Sequence, residues 1–289
     1  MTTGKYTDLS DKAFFYVMGK ERHEFIQGLI TNDINKCNDD NAIYSAFLSP
    51  QGRFIADFFI ISSGDSFLFE INKKIKNELL NKFEIYKLRA QIEIKETSAY
   101  KSLVIYENKN FDNLQLIGQC KKIEEGFIYR DPRNNKMGIK GIIKEEKIND
   151  FVSKYNLSKE TISDYDFKRI NNGIPDSIID LKINKSLLLE NNFDKINAID
   201  WNKGCYIGQE ITARMKYRSL LKKTLYKIII LEGDVKKDDM IFLNDKNIGY
   251  ITSINKNLGL AMLKISEANI AIKNNNDLLV KNGKIKLSI

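Results

Sequence analysis

Histidine is almost missing from this sequence, since His23 is the only one among 289 residues. A histidine-rich metal site is therefore excluded, and no CxxC or HxxxH spacing offers another set of ligands. His23 lies beside Glu24 in a short helical segment, and we interpret it as a solvated surface residue. The sequence predicts no metal site.

Cysteine and long apolar runs are also scarce. Cys37, Cys120 and Cys205 are odd in number and widely separated, which argues against a disulfide framework and favours a reducing compartment. No apolar run approaches the roughly 20 residues that cross a bilayer. The polar start, residues 1–5, has neither the charged region nor the apolar region of a signal peptide. These absences predict a cytoplasmic protein without a membrane partner.

Apolar residues make up 43% of the chain and charged residues 29%, as in an ordinary globular protein long enough for two or three domains. The formal net charge of +8 favours anionic partners. Between residues 203 and 223 one acidic residue, Glu210, is outnumbered by six basic ones: Lys203, Arg214, Lys216, Arg218, Lys222 and Lys223. This excess favours a polyanionic cofactor tail, an acidic protein surface or nucleic acid, and a solvated helix face is the alternative.

The periodicity of apolar residues predicts an α+β protein with a separate β-rich end. Strands are predicted over residues 14–17, 43–48, 53–61, 66–71, 91–95 and 101–106, and near Phe127; helices are predicted over 22–30, 73–88, 144–155 and 163–172. The last of these helices opens with a capping-box pattern, Ser163-x-x-Asp166. Short alternating strands after Lys223 predict a β-barrel. We therefore divide the chain into residues 1–219, with one lobe over about 43–126, and residues 220–289.

The stretch KGCYIGQE, residues 203–210, is the most unusual in the chain. Two glycines allow a tight turn or a close approach to a ligand, and a helical pattern follows in which Glu210 and Arg214 form an i,i+4 pair. Cys205 stands just before this helix and beside Lys203, a setting that favours a reactive thiolate. The alternative is a buried, inert cysteine in a glycine-rich connector.

This stretch resembles the signature of the YgfZ-type folate-binding proteins, relatives of the glycine-cleavage T-protein whose mitochondrial members serve iron–sulfur cluster maturation. Four further segments resemble motifs of that family in the same order, so the resemblance covers essentially the whole chain: residues 25–28 with 31–33, residues 49–53 with 56–58, residues 173–175, and residues 190–194.

The resemblance implies two α+β, ferredoxin-like lobes and a C-terminal β-barrel, three lobes around a central folate cavity. It implies tetrahydrofolate as the cofactor and Cys205 as the catalytic thiol. Asp57 is the best candidate for a carboxylate facing the folate, although it could merely end a hairpin pairing; Asn171 stands where many relatives have glutamate, which weakens pterin binding. The predicted cofactor-binding residues are Asp57, Asn171, Lys203, Tyr206, Gln209, Glu210 and Arg214. We expect Cys205 and Asp57 to face one shared cavity.

The function implied is a tetrahydrofolate-binding protein that assists assembly or repair of iron–sulfur clusters, with assembly proteins or client enzymes as partners. One alternative is an aminomethyltransferase that passes a one-carbon unit to tetrahydrofolate; whether the chain is an enzyme stays open. The other is a factor that binds or modifies tRNA. It is not favoured, because only Tyr206 and Tyr217 accompany the basic residues and no stacking platform is evident.

Overall fold

The structure, a computed structural model, describes residues 4–288. Met1, Thr2 and Thr3, which belong to the polar start noted above, lie outside the described residues. Within residues 4–288 the chain forms two open β-sheets and one closed barrel. No helix in that range is long and apolar enough to cross a membrane, and no group of three or more histidine, cysteine or acidic side chains there is arranged to hold a metal ion.

The first sheet has five antiparallel strands in the order β3-β4-β5-β2-β6. The strands are β2 (Lys12–Met18), β3 (Ile43–Leu48), β4 (Phe54–Ser63), β5 (Ser66–Asn72) and β6 (Glu93–Thr97), and the helices are α1 (Arg22–Gln27) and α2 (Lys73–Lys87). Asn72 caps α2 by accepting a hydrogen bond from the backbone N–H of Lys74. The helix buries Ile75, Leu79 and Phe83, and Phe83 packs edge-on against aromatic rings of the sheet. This apolar stripe fixes the helix on one face of the sheet.

The second sheet has six strands in the order β11-β1-β7-β10-β9-β8, and only its β1–β11 pair is parallel. The strands are β1 (Gly4–Asp8), β7 (Tyr100–Tyr106), β8 (Cys120–Ile123), β9 (Gly126–Arg130), β10 (Ile139–Lys144) and β11 (Leu157–Lys159), and the helices are α3 (Ile148–Lys154) and α4 (Ile162–Asn171). Short 3₁₀ helices occupy Ile34–Lys36, Lys109–Phe111, Asn135–Met137, Glu145–Lys147 and Leu189–Asn191. Buried residues of both sheets join one apolar core, so the sheets pack as a unit.

The barrel follows α5 (Gln209–Tyr217) and has an apolar core of its own. Its strands are β12 (Lys223–Gly233), β13 (Met240–Leu243), β14 (Lys246–Asn255), β15 (Leu258–Lys264), β16 (Leu278–Val280) and β17 (Gly283–Leu287), with α6 (Ile265–Lys273) between β15 and β16. The closed order β12-β15-β14-β13-β16-β17 leaves no free sheet edge. Ile170 of α4 packs on the barrel strands β12 and β15 through a smaller apolar cluster.

The predicted α+β class with a C-terminal barrel is confirmed, and several details differ. The helix predicted over 22–30 ends at Gln27, and the sequence missed β1, β8, β10, β11, β16 and α6. The capping box lies two residues earlier than predicted: Thr161 is the cap and Asp164 its partner. Asp166, the predicted partner, instead pairs with Arg169. The division at residues 219 and 220, and the lobe over about 43–126, stay predictions.

Candidate functional site

The segment before the cysteine motif lies along the turn that follows α1. The Thr31 hydroxyl donates to the carbonyl of Ala198 at 2.6 Å, and the backbone N–H of Asp200 donates to the carbonyl of Thr31 at 3.0 Å. The buried amide of Asn32 donates to the carbonyl of Asn197 at 2.9 Å. Residues 31–33 and the approach to Cys205, far apart in sequence, are therefore one local structure.

Lys203 ties this structure together from inside. Its ammonium group donates to the carbonyls of Gln27 at 2.8 Å, Ile30 at 2.7 Å and Asn32 at 2.8 Å. Burial lowers the pKa of Lys203 to about 8, although Asp33 and Asp200 act in the opposite direction. The sequence predicted that this cation lies beside the thiol and in the cofactor site. In the structure its ammonium group instead binds three backbone carbonyl oxygens.

Asp200 holds the chain as it enters the motif. Its carboxylate accepts from the backbone N–H groups of Asn202 at 2.7 Å and Lys203 at 3.1 Å, and it forms a 2.5 Å ion pair with Lys36. Burial opposes the charge, but these partners hold the pKa of Asp200 below its ordinary value. Sequence reasoning missed Asp200 and Lys36. The bonds from Asn202 and Lys203 to Asp200 are local, but the Lys36–Asp200 pair joins residues far apart in the chain, so no spacing identifies that pair.

Two glycines let the motif pack backbone to backbone on the turn between β3 and β4. Gly208 has φ +80°, and a Cβ there would overlap the carbonyl oxygen of Ser49 and lie 2.8 Å from the Cβ of Leu48. Gly52 has φ +69°, and its Cβ would lie 3.0 Å from the carbonyl oxygen of Gly208. Both positions require glycine because of conformation and contact. Three of the five motifs singled out in the sequence, those at residues 31–33, 49–53 and 203–210, thus converge at one place.

Cys205 is the exposed member of the three cysteines, and nothing lies within 4 Å of the position of a Cβ on the neighbouring Gly204. Cys37 and Cys120 are buried, and burial raises the pKa of the Cys120 thiol to about 12. The alternative of a buried cysteine therefore does not describe Cys205. Cys205 is thus exposed to solvent next to a hydrogen-bonded frame.

The other predicted residues near Cys205 differ in their exposure to solvent. Tyr206 is buried and Gln209 is partly buried, whereas Glu210 and Arg214 are exposed. The predicted Glu210–Arg214 pair is present at 2.5 Å. These residues share the surroundings of Cys205 in the chain, but two of them face solvent and do not line an enclosed site.

Asp57 lies in β4 and is partly buried. It accepts a 2.5 Å hydrogen bond at Oδ2 from the hydroxyl of Tyr44, while Oδ1 is buried and has no hydrogen-bond partner among residues 4–288. Burial raises the pKa of Asp57 above its ordinary value, and the Tyr44 hydroxyl offsets part of the rise. The carboxyl group borders a cavity of about 20 Å³ that Arg133 and Tyr165 also line.

Asn171 lines a different cavity, of about 840 Å³, together with Tyr106 and Arg130. Tyr165 and Arg169 of the same helix line the Asp57 cavity. Because an α-helix turns 100° per residue, Asn171, two residues beyond Arg169, points to another side. Cys205 is among the lining residues of neither cavity. The sequence predicted one cavity shared by Cys205 and Asp57, and neither of these two cavities is lined by both. Asn171, predicted to bind the same cofactor, lines a different cavity from Asp57.

Reduced folate does not fit the residues at Asp57. Ligand pockets occupy roughly 300–1,000 Å³, whereas this cavity of about 20 Å³ holds about one water molecule. One oxygen of the carboxyl group is already taken by Tyr44. No chemical step through folate follows from this geometry.

The two sheets and the closed barrel define a protein with the glycine-cleavage T-protein fold. The crystal structure of the glycine cleavage system aminomethyltransferase T from Bartonella henselae superposes with a TM-score of 0.82, covering 100% of this chain and 86% of that one. At 11% sequence identity the likeness shows the fold and not the reaction.

Sequence comparison adds a second likeness: the chain is similar to mitochondrial iron–sulfur cluster assembly factors called IBA57. The Dictyostelium discoideum factor is 28% identical over 260 residues, covering 79% of this chain and 63% of that protein. The Mus musculus factor is 26% identical, with 78% and 66% covered, and the Homo sapiens factor 24%, with 88% and 76% covered. The match spans less than two thirds of the Dictyostelium protein. No protein-family model matches the chain.

These relatives correct one prediction. The absence of membrane and signal features was interpreted as a cytoplasmic location, but each of the three relatives is named as a mitochondrial protein. The cytoplasmic prediction is therefore wrong. Composition and charge do not distinguish the interior of one compartment from that of another.

Proposed function

We propose that this chain assists the assembly of iron–sulfur clusters in the mitochondrion, with Cys205 as the thiol that acts in it. The exposure of Cys205 on a frame of three converging motifs carries the proposal. The relatives, which are named as mitochondrial iron–sulfur cluster assembly factors, support the process and the compartment.

A cysteine thiolate is the ligand that iron–sulfur clusters prefer. One thiol supplies one ligand, so a cluster that reaches Cys205 as cargo needs further ligands from a partner. Arg214, Lys216 and Arg218 are exposed on and just after α5, and Tyr217 is 69% exposed among them. Complementary charge then favours a partner with an acidic surface: an assembly protein or a client enzyme.

Tetrahydrofolate binding, the finer prediction from the resemblance, is not included because the cavity at Asp57 does not accommodate it. Repair of damaged clusters would use the same thiol and stays a prediction. No specific observation favours aminomethyl transfer or tRNA binding over cluster assembly.

The test is Cys205→Ser in cells of the organism that makes the chain. We expect enzymes that carry iron–sulfur clusters to lose activity while cluster-free enzymes keep theirs, because serine preserves the shape and removes the soft ligand. Asn202→Ser, also exposed and three residues away, is the matched control and should be silent. Normal activity of the cluster enzymes in the Cys205→Ser cells would overturn the role of the thiol.

A further inference from the structure

Arg133 follows β9 of the second sheet and lies against side chains of the first sheet. It is one of the largest polar side chains, and yet it is only 7% exposed. Its guanidinium group donates to both carboxylate oxygens of Asp131, at 3.1 and 2.7 Å, and to the Tyr165 hydroxyl at 3.1 Å. It also lies over the rings of Phe59, 4.9 Å from the centroid, and Tyr44, 5.6 Å from the centroid.

This environment is the kind that would bind a flat, hydrogen-bond-donating heterocycle: aromatic faces on which it could stack, and a carboxylate at its edge. Guanidinium has the same two properties, because it is planar and carries N–H donors in a fork that matches a carboxylate. Arg133 therefore occupies the place and uses the contacts that such a ligand would need.

Asp57, the neighbouring acid, also has its carboxylate bound by a side chain of the protein itself. The Tyr44 hydroxyl donates to Oδ2 of Asp57, and the other oxygen is buried in a residue that lines the cavity of about 20 Å³. A space of that size with a polar wall suits a single water molecule. Asp57 thus needs no ligand larger than water to complete its hydrogen bonds.

We infer that the chain's own side chains close the centre of this T-protein fold, with Arg133 and Tyr44 in the place of a ligand, and that tetrahydrofolate does not bind at Asp57. A ligand would have to separate Arg133 from Asp131, whose carboxylate is fully buried. Breaking a buried ion pair weakens binding by about a hundred- to a few thousand-fold. The inference stands whether or not Cys205 serves cluster assembly.

The experiment is an anaerobic calorimetric titration of the whole chain with tetrahydrofolate up to millimolar concentration, beside a protein known to bind it as positive control. We expect no saturable heat from this chain. If saturable heat does occur, Asp57→Asn, with circular dichroism to verify folding, locates the site. Asp57→Ser is the second variant should Asp57→Asn not fold.

Saturable binding that is lost in the folded Asp57 variant would overturn the inference. Saturable binding that survives in that variant places folate elsewhere and upholds it; Asn171→Ala, at the edge of the 840 Å³ cavity, then tests the outer groove. Cys205→Ser should not change any of these titrations, so this result and that of the cluster-assembly test are independent.

Discussion

Lys203 shows that one side chain can hold the backbone of a site in place through hydrogen bonds without a part in its chemistry. The last carbonyl groups of a helix have no partner within the helix, and α1 ends at Gln27, one of the residues whose carbonyl Lys203 binds. The ammonium group has three N–H donors and meets three acceptors. It thereby joins the end of α1 to the start of the cysteine motif.

Replacing this lysine should destabilise the fold. We expect Lys203→Met to lower the free energy of unfolding by about 3 kcal/mol, because three buried carbonyls lose their shared donor. Urea denaturation measures the loss. Lys237→Met is the matched control, since Lys237 is exposed and donates to one carbonyl, that of Ile179; its loss should stay within about 0.5 kcal/mol. Equal losses in the two variants would contradict the structural role of Lys203.

The same residue predicts a pH dependence with a definite sign. Its pKa is about 8 in the folded chain against 10.5 as the ordinary value. Between these values the unfolded chain binds more protons, so the stability contributed by this group rises with pH. The stability difference between the native chain and Lys203→Met should grow by about 2 kcal/mol from pH 7.5 to pH 9.5. A constant or shrinking difference would show that the three carbonyls keep the lysine charged.

At the scale of helices and strands, the periodicity of apolar residues predicted the elements that form from residues close together in the chain. The hairpin of β3 and β4 and the helix α2 follow from local apolar patterns and turn residues, and the structure has them. The predicted position of the capping box was wrong because Thr161-x-x-Asp164 and Ser163-x-x-Asp166 have the same local sequence pattern. In the structure Ser163 accepts from Asn255 of the barrel, a residue far away in the chain, and Asp166 pairs with Arg169 on the same helix.

The glycines of the cysteine motif should differ in their tolerance of a methyl group. Gly208→Ala should cost at least about 2 kcal/mol, because alanine is strained at φ +80° and its Cβ meets the turn between β3 and β4. Gly204→Ala, in open space, should cost no more than about 0.5 kcal/mol. Thermal unfolding of the two variants compares them. If both are neutral, the motif does not pack on that turn as described.

At the scale of the whole molecule, the order of the family motifs along the chain predicted the fold but not the size of the cavity at Asp57. Residues 31–33, 49–53 and 203–210 converge as a family resemblance would require. The size of the space at Asp57 depends instead on Arg133, which follows β9 of the second sheet, and on Tyr44 of β3. A sequence read without coordinates gives no measure of that space, because packing volume depends on every side chain around it.

The barrel and the rest of the chain are joined by a buried network around Arg169. This side chain of α4 donates to Asp180 at 3.0 Å and to the hydroxyl of Ser253 in β14 at 3.2 Å, and Ser253 donates to Asp180 at 2.5 Å. Asp180 has a fully buried carboxylate. The network thus couples the barrel to α4 through charges that have no access to water.

Replacing Arg169 should therefore lower the stability of the whole folded chain. We expect Arg169→Ala to cost about 3–5 kcal/mol, because it leaves the Asp180 carboxylate buried and unpaired. The barrel should then unfold in a separate step, seen as faster hydrogen exchange in β14 than in β4. Lys168→Ala is the matched control on the same helix: it loses a partly exposed 2.8 Å pair with Glu160 and should cost about 1 kcal/mol or less. A single transition in Arg169→Ala, with β14 and β4 equally protected, would show that apolar packing of α4 on the barrel is enough to couple them.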